Sequence, residues 1–316
     1  MKNTNSSKTK ALVLFSGGLD SRLAVKLLQE QDIDVTAVLF KLPFGGGCCN
    51  DELCSFRFSQ VQGTNLQIID CTKGEFLKEY LNLVRHPKFG HGTGINPCID
   101  CRIFLLKEAK KIAKEQGIKI IATGEVLGER PMSQHRRAME IIEQEAGLKN
   151  QVLRPLSAKL LPETDAEKQS LVNREKLLDI SGRQRKKQIE LAKKYNIQYP
   201  TPGGGCILCE KPVAMRIKLL LEKNLINEKT LNLAKIGRHF YTGGCWFVVA
   251  RNESECLAIE TQKKSNILES EKSKPAVYFH EKTQKAIEIA KQLQKAYSKS
   301  TEENEKLKEE FEKYKI

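Results

Sequence analysis

Ser16-Gly17-Gly18-Leu19-Asp20-Ser21 decides the fold, because the segments on either side of it make sense only as its supports. Ahead of it runs Ala11-Leu12-Val13-Leu14-Phe15, an apolar string short and continuous enough to be a strand buried on both faces. Behind it, Leu23, Ala24, Val25, Leu27 and Leu28 recur at helical spacing. The reading is a strand, a tight glycine turn and a helix. Two glycines let the backbone turn sharply and approach a ligand with no Cβ in the way. Ser16, Ser21 and the first helical N–H groups then face whatever sits there. A phosphate suits that place, since a helix N-terminus offers unpaired donors and a partial positive charge. Asp20 adds to the case, because a carboxylate beside a polyphosphate is tolerable mainly where a divalent cation bridges the two. A ligand-free turn needs neither the second serine nor the aspartate.

At 316 residues the chain exceeds one typical domain and suits two. A hydrophobic content of 40% allows an ordinary core, and no apolar run reaches the ~20 residues needed to span a bilayer. The first ten residues are polar with no apolar signal core, so a cytoplasmic location and no membrane partner are expected. The formal charge of +14 fits a polyanionic partner, most simply nucleic acid, although charge alone also fits a basic protein that binds none. Ten cysteines in a reducing compartment point to metal binding or catalysis rather than disulfides. Oligomeric state is not legible.

Outward from the loop, residues 33–40 and 66–70 read as further strands, 74–85 as a helix, 104–116 as a helix stopped by Gly117, and 118–123 as a fourth strand. Strands alternating with helices imply a Rossmann-like parallel sheet with right-handed crossovers. Ligands of such sheets sit beyond the carboxyl ends of the strands, where the loop, residues 98–102 and Gly124-Glu125 converge. Residues 44–54 read as a glycine-rich loop, 152–157 as a short strand and loop, and 163–198 as mostly helical. Within that last segment Arg183-Gln184-Arg185-Lys186-Lys187 is a basic cluster, either functional or a solvated helix face. Residues 199–209, with two prolines and three glycines, form a loop that presents thiols. A boundary is expected between 224 and 233, giving a first domain over 8–225, a small α+β module over 233–280 with a polar linker at 263–274, and a charged terminal helix over 281–316.

Cys98-x-x-Cys101 and Cys206-x-x-Cys209 together could supply the four soft ligands of a tetrahedral zinc site. An iron–sulfur cluster on three of these thiolates, with one iron open, competes with it, and four inert buried cysteines are the plain alternative. Cys48, Cys49 and Cys54 could ligate a second metal, relay sulfur or do nothing, whereas Cys71, Cys245 and Cys256 sit in apolar or mixed contexts that suit a structural role.

Neither G-x-x-x-x-G-K-[ST] nor G-x-G-x-x-G occurs. The hexapeptide instead resembles the SGGxDS signature of PP-loop ATP pyrophosphatases. Taken with Asn96-Pro97-Cys98-Ile99-Asp100-Cys101-Arg102 and the run Thr123-Gly124-Glu125-Val126-Leu127-Gly128-Glu129-Arg130-Pro131-Met132-Ser133-Gln134, it resembles the ThiI-like tRNA thiolation enzymes over about residues 8–215. The last run is similar to the TGESLGQVASQ-type segment of ThiI, and the cysteine pattern to the cluster-binding TtuA and TtcA enzymes. The resemblance implies that Ser16, Gly17, Gly18, Asp20 and Ser21 hold the phosphates of ATP with Mg²⁺. It also implies that Arg102, Gly124 and Gln134 line the nucleotide site, and that Cys98, Cys101 and Cys206, with Cys209 as the spare, hold a 4Fe-4S cluster. The run ending at Gln134 is one residue longer here, which loosens that carry-over, and no THUMP or rhodanese domain is visible. Residues 236–240 and 246–252 resemble the RNA-binding NFACT-R domain, whose Arg and aromatic side chains would pair with phosphates and stack on bases.

The function expected is ATP-dependent tRNA sulfurtransfer: adenylation of a uridine carbonyl, Asp20 and the loop stabilising diphosphate departure, then sulfur from the Cys98, Cys101 and Cys206 site replacing AMP. Sulfide or a cysteine desulfurase would be the donor. 4-Thiouridine is favoured, while the Asn-Pro-Cys run is also similar to the 2-thiouridylase MnmA. The rivals are a Cys persulfide resolved as a disulfide, a zinc-bearing PP-loop nucleobase-amidating enzyme, and a non-catalytic RNA-binding protein.

Overall fold

The computed structural model describes residues 8–45, 52–201, 205–262, 266–299 and 301–316. The chain divides into two compact units, Met1–Gly92 with Asn96–Ile207, and Thr93–Ile95 with Leu208–Ile316. The division thus falls ahead of the 224–233 stretch. The helix Lys211–Glu222 goes with the second unit because its buried Ala214, Ile217, Leu220 and Leu221 pack toward the short turn Leu233–Lys235.

The first unit is built on five parallel strands: β1 (Lys10–Leu14), β2 (Asp34–Lys41), β3 (Asn65–Asp70), β4 (Ile120–Thr123) and β5 (Val152–Leu153), in the order β3-β2-β1-β4-β5. The continuous apolar run of β1 makes it the central strand, with Ala11, Leu12 and Val13 fully buried. Four helices join the first four strands: α1 (Leu19–Gln29), α2 (Glu52–Gln62), then α3 (Gly74–Arg85) with α4 (Cys98–Glu115). Beyond β4 come α5 (Arg136–Ala146), the four-residue α6 (Asp165–Lys168) and α7 (Lys186–Lys194). The strand order reverses between β1 and β4, which opens a crevice beyond their carboxyl ends, the usual place for a ligand in such sheets.

Three local expectations change. The helix expected from residue 104 begins at Cys98, so the Cys-x-x-Cys pair occupies its first turn. Residues 163–198 are mostly irregular, with only α6, a turn at Arg174–Lys176 and α7 helical. There Val172, Leu177 and Ile180 drop into the sheet's core at non-helical spacing, and Ser170 takes a positive φ of 57°. Residues 52–54, expected in a loop, open α2; Cys48 and Cys49 lie outside the described residues.

The second unit holds an antiparallel sheet of β6 (Arg238–Thr242), β7 (Cys245–Val249), β8 (Ile267–Leu268) and β9 (Val277–Phe279), ordered β6-β7-β9-β8. Gly243 and Gly244, with φ of +59° and +79°, make the two-residue hairpin that glycine permits. The remaining helices are α8 (Lys211–Glu222), α9 (Glu253–Glu260), α10 (Gln284–Ala296) and α11 (Glu302–Glu312). The terminal helix is therefore two, parted where the Thr301 hydroxyl caps the second. Ala286, Ala290, Leu293 and Phe311 from this pair join Phe240, Phe247 and Phe279 in one core, so the terminal segment belongs to the unit. The polar linker contains β8, and its residues 263–265 lie outside the described set. Phe240, Trp246 and Phe247 are fully buried, which removes them from base stacking: a strand as apolar as Cys245–Val249 has both faces covered.

Candidate active site

The loop after β1 carries its geometry in two glycines. Gly17 adopts a φ of +77°, and Gly18 begins α1 in an extended conformation with no side-chain cap. The Ser21 hydroxyl donates to the Gly18 carbonyl at 2.9 Å and lies 3.3 Å from the Ser16 hydroxyl. The Gly18 N–H makes only a long 3.4 Å contact to Ser16 Oγ. The uncapped helix start therefore keeps donors for an anion.

These residues form one wall of a cleft of about 240 Å³ in the first unit. Ser16, Gly18, Asp20 and Ser21 face it from the loop, Cys98, Cys101 and Arg102 from the start of α4, Gly124 and Gln134 from beyond β4, and Cys206 from the later loop. Gly124 is obligatory there, since a Cβ would lie 2.5 Å from the Ser21 backbone nitrogen. Gln134 is buried, with its Oε1 unpartnered.

Asp20 and Glu129 share a cation that the sequence did not single out. Arg185, from the basic cluster, donates to Glu129 Oε1 at 2.5 Å and to Asp20 Oδ2 at 3.3 Å. Burial, then the neighbouring Glu129 charge, push the Asp20 carboxyl up to about 6 against the pull of Arg185. Asp20 Oδ1 is buried without a hydrogen-bond partner, an oxygen of the kind a hard divalent cation takes, so the residues present fit Mg²⁺. Deeper in the wall, Glu125 is 3% exposed and ion-paired to Arg154 at 3.1 Å and Arg102 at 3.4 Å. Burial raises its carboxyl, but the two guanidinium groups together outweigh that and hold it below the usual range.

On the thiol side, Asn96 Nδ2 donates to Cys98 Sγ at 3.1 Å, and the Tyr80 hydroxyl lies 3.6 Å from Cys101 Sγ. Burial pushes the Cys101 thiol up, while Tyr80 and Arg102 favour its thiolate. Tyr80 is itself held well above its ordinary value by burial and then by Cys101, Cys206 and Cys98. Cys209 is exposed and is counted with the second unit. Among the described residues no three His, Cys, Asp or Glu side chains are gathered tightly enough for a single metal ion. A cluster of several irons spaces its thiolates more widely than one ion does, and three thiols lining one cleft fit that donor set. Cys54 Sγ accepts from Arg22, and Cys71, Cys245 and Cys256 are buried. No helix among the described residues is long and apolar enough to cross a membrane.

The first unit thus has a parallel α/β sheet with this loop at its switch point, the architecture expected from the sequence. Residues 6–160 match the family described as Thiamine biosynthesis protein (ThiI). The tRNA-specific 2-thiouridylase MnmA of Clostridium acetobutylicum is 32% identical over 133 residues, 36% of this chain and 35% of the relative. The chain thus spans about a third of the length of that curated relative. Among solved structures, a 4-thiouridine synthetase–RNA complex with bound ATP is 22% identical with a TM-score of 0.44, covering 72% of this chain and 52% of that one. The U34-tRNA thiolase NcsA from Methanococcus maripaludis with its 4Fe-4S cluster is 17% identical with a TM-score of 0.36, covering 73% and 72%.

Proposed function

We propose that the chain is an ATP-dependent tRNA sulfurtransferase of the ThiI-like group, with 4-thiouridine as the favoured product. The observation that carries this reading is one cleft lined both by the Ser16–Ser21 loop and by Cys98, Cys101 and Cys206. The loop amides, Ser16 and Ser21 bind the phosphates, Asp20 holds Mg²⁺ against them, and Arg102, Gly124 and Gln134 shape the rest of the nucleotide site. The uridine carbonyl oxygen attacks the α-phosphorus of ATP, and diphosphate leaves. Sulfur then adds to the activated carbon, and AMP departs with the original oxygen.

A 4Fe-4S cluster on Cys98, Cys101 and Cys206 would supply an open coordination position from which sulfide is delivered. The chain's own part is to keep the three sulfurs in place: Asn96 and Tyr80 offer donors to Cys98 and Cys101. A persulfide route is the second reading, supported by the same three thiols, Cys98, Cys101 and Cys206, lining the cleft beside the loop. In it a Cys-bound persulfide attacks the activated carbon, and a second Cys displaces the product, leaving a disulfide that a thiol reductant reopens. The second unit would grip tRNA, through exposed cations rather than the buried aromatics.

The test is AMP and diphosphate formation that depends on tRNA, with mass spectrometry of tRNA nucleosides from a deletion strain. Loss of 4-thiouridine supports the reading, loss of 2-thiouridine redirects it to MnmA-type chemistry, and unchanged thionucleosides overturn it. Iron and acid-labile sulfide in anaerobically purified protein separate the cluster from the persulfide. Stoichiometric zinc without sulfur incorporation would point to an amidating enzyme.

A further inference from the structure

We propose that Arg22 is a positioning residue for the phosphate loop, acting on the nucleotide through the peptide that joins Gly17 to Gly18. The inference rests on the nucleotide reading of the cleft given above. Arg22 directly follows the loop hexapeptide and is 3% exposed. Its Nε donates to the Gly17 carbonyl at 2.7 Å, its Nη1 to the Gln198 carbonyl at 3.0 Å, and its Nη2 to Cys54 Sγ at 3.0 Å. The Phe58 ring covers the guanidinium at 4.7 Å, and Phe15 stacks on Phe58.

The Gly17 carbonyl and the Gly18 N–H belong to one peptide group. A charge-assisted bond to the carbonyl fixes the plane of that peptide, at a residue whose positive φ turns it. It also draws electron density toward the oxygen, which makes the N–H at the other end a stronger donor. That N–H has only a marginal partner in the protein, and Gly18 lines the cleft. Arg22 thus lends its charge to an amide that faces the phosphates without lining the cleft itself. Its second arm reaches the Gln198 carbonyl, so one buried side chain also ties the phosphate loop to the chain that follows α7. Cys54, whose role the sequence left open, serves as the acceptor for the remaining N–H groups.

Calorimetric titration of the full chain with ATP and, separately, with adenosine tests this. Adenosine carries the base and sugar and no phosphate. Arg22→Met is expected to weaken ATP binding by about tenfold, the size of one lost charge-assisted hydrogen bond, and to leave adenosine binding within about twofold. Arg22→Lys, which keeps a cation and fewer donors, falls between. A packing role would weaken both ligands together. Equal losses for ATP and adenosine, or unchanged ATP affinity in folded Arg22→Met, overturn the proposal. Should Arg22→Met not fold, Arg22→Lys decides by the same ratio: ATP weakened with adenosine held supports it, and a common loss or no loss overturns it. Wild-type protein that bound neither ligand would overturn the nucleotide reading and this inference with it, an outcome recognisable before any variant is made.

Discussion

Replacing Gly124 by alanine probes the seam between the end of β4 and the first turn of α1. The added Cβ would lie 2.5 Å from the Ser21 nitrogen, 2.6 Å from the Asp20 carbonyl carbon and 2.6 Å from Ser21 Cα. All three are backbone atoms, so no side chain can rotate out of the way. Ordinary contact begins near 3.4 Å, and one of the two segments must therefore retreat by about 0.9 Å. Overpacking of this kind costs roughly 1–3 kcal/mol, which in a unit of this size lowers the melting temperature by about 2–4 °C for each kcal/mol. The larger effect is functional. Ser21 and Asp20 move with the turn, and a misplacement on the order of 1 Å at reacting groups costs about a hundredfold in rate. TRNA-dependent AMP release and thermal melting read the two effects separately. A Gly124→Ala protein with wild-type rate and wild-type melting would refute the steric account of this seam and the placing of the phosphates against Ser21.

Glu125→Gln leaves buried Arg154 and partly exposed Arg102 without their shared anion; a loss of roughly 3–5 kcal/mol is expected in denaturant unfolding, and a loss below 1 kcal/mol would remove Glu125 as the keystone of that wall. In the second unit the Trp246 indole donates to His239 Nδ1 at 3.1 Å, so His239 Nε2 must donate to the Ile236 carbonyl at 2.7 Å and the ring is neutral. Burial, then Arg216, hold His239 well below 6.5. The unfolded chain therefore takes up a proton that the folded one refuses, and stability is full above about pH 6.5 and falls below it at roughly 1.4 kcal/mol per pH unit. Melting curves from pH 7.5 to 5 should show that slope, and a His239→Gln protein with an identical slope would assign it elsewhere. Trp246→Phe should lower stability by about 1–3 kcal/mol while leaving tRNA affinity unchanged, whereas Lys223→Ala with Arg238→Ala should weaken tRNA binding and flatten its salt dependence. Filter binding distinguishes them, and the reverse result would return the aromatics to the RNA surface.

The parallel sheet was legible because β1 and β2 carry the apolar runs 11–14 and 37–40, and the turn between β1 and α1 carries glycine where a positive φ is needed. The convergence of the loop with residues 98–102 and Gly124 was legible as groups that such a sheet gathers at its carboxyl edge, whereas nothing in the sheet pattern brings Cys206 there. Arg185 was not, since a basic cluster does not say which of its members turns inward toward Asp20 and Glu129. Arg22 was hidden in the same way: a lone arginine on an amphipathic helix reads as solvated, and its acceptors are backbone atoms from residues 17 and 198. Residues 163–198 misled because their charge suits a helix while Val172, Leu177 and Ile180 answer to the sheet. Trp246 misled because an aromatic that could face bases can equally face a histidine in the core.

Helices α5, α9, α10 and α11 are each closed at their start by a side chain, from His135, Asn252, Thr283 and Thr301. No side chain closes α1, α3, α4, α7 or α8, and three of these, α1, α4 and α7, start at residues that line the cleft, Gly18, Pro97 and Arg185. Their resting state is accordingly unfinished, and the missing partners arrive with the ligand. Starvation for ATP would then loosen the polypeptide itself as well as idle it, and protease digestion with and without ATP would register the difference as slower cutting around residues 16–22.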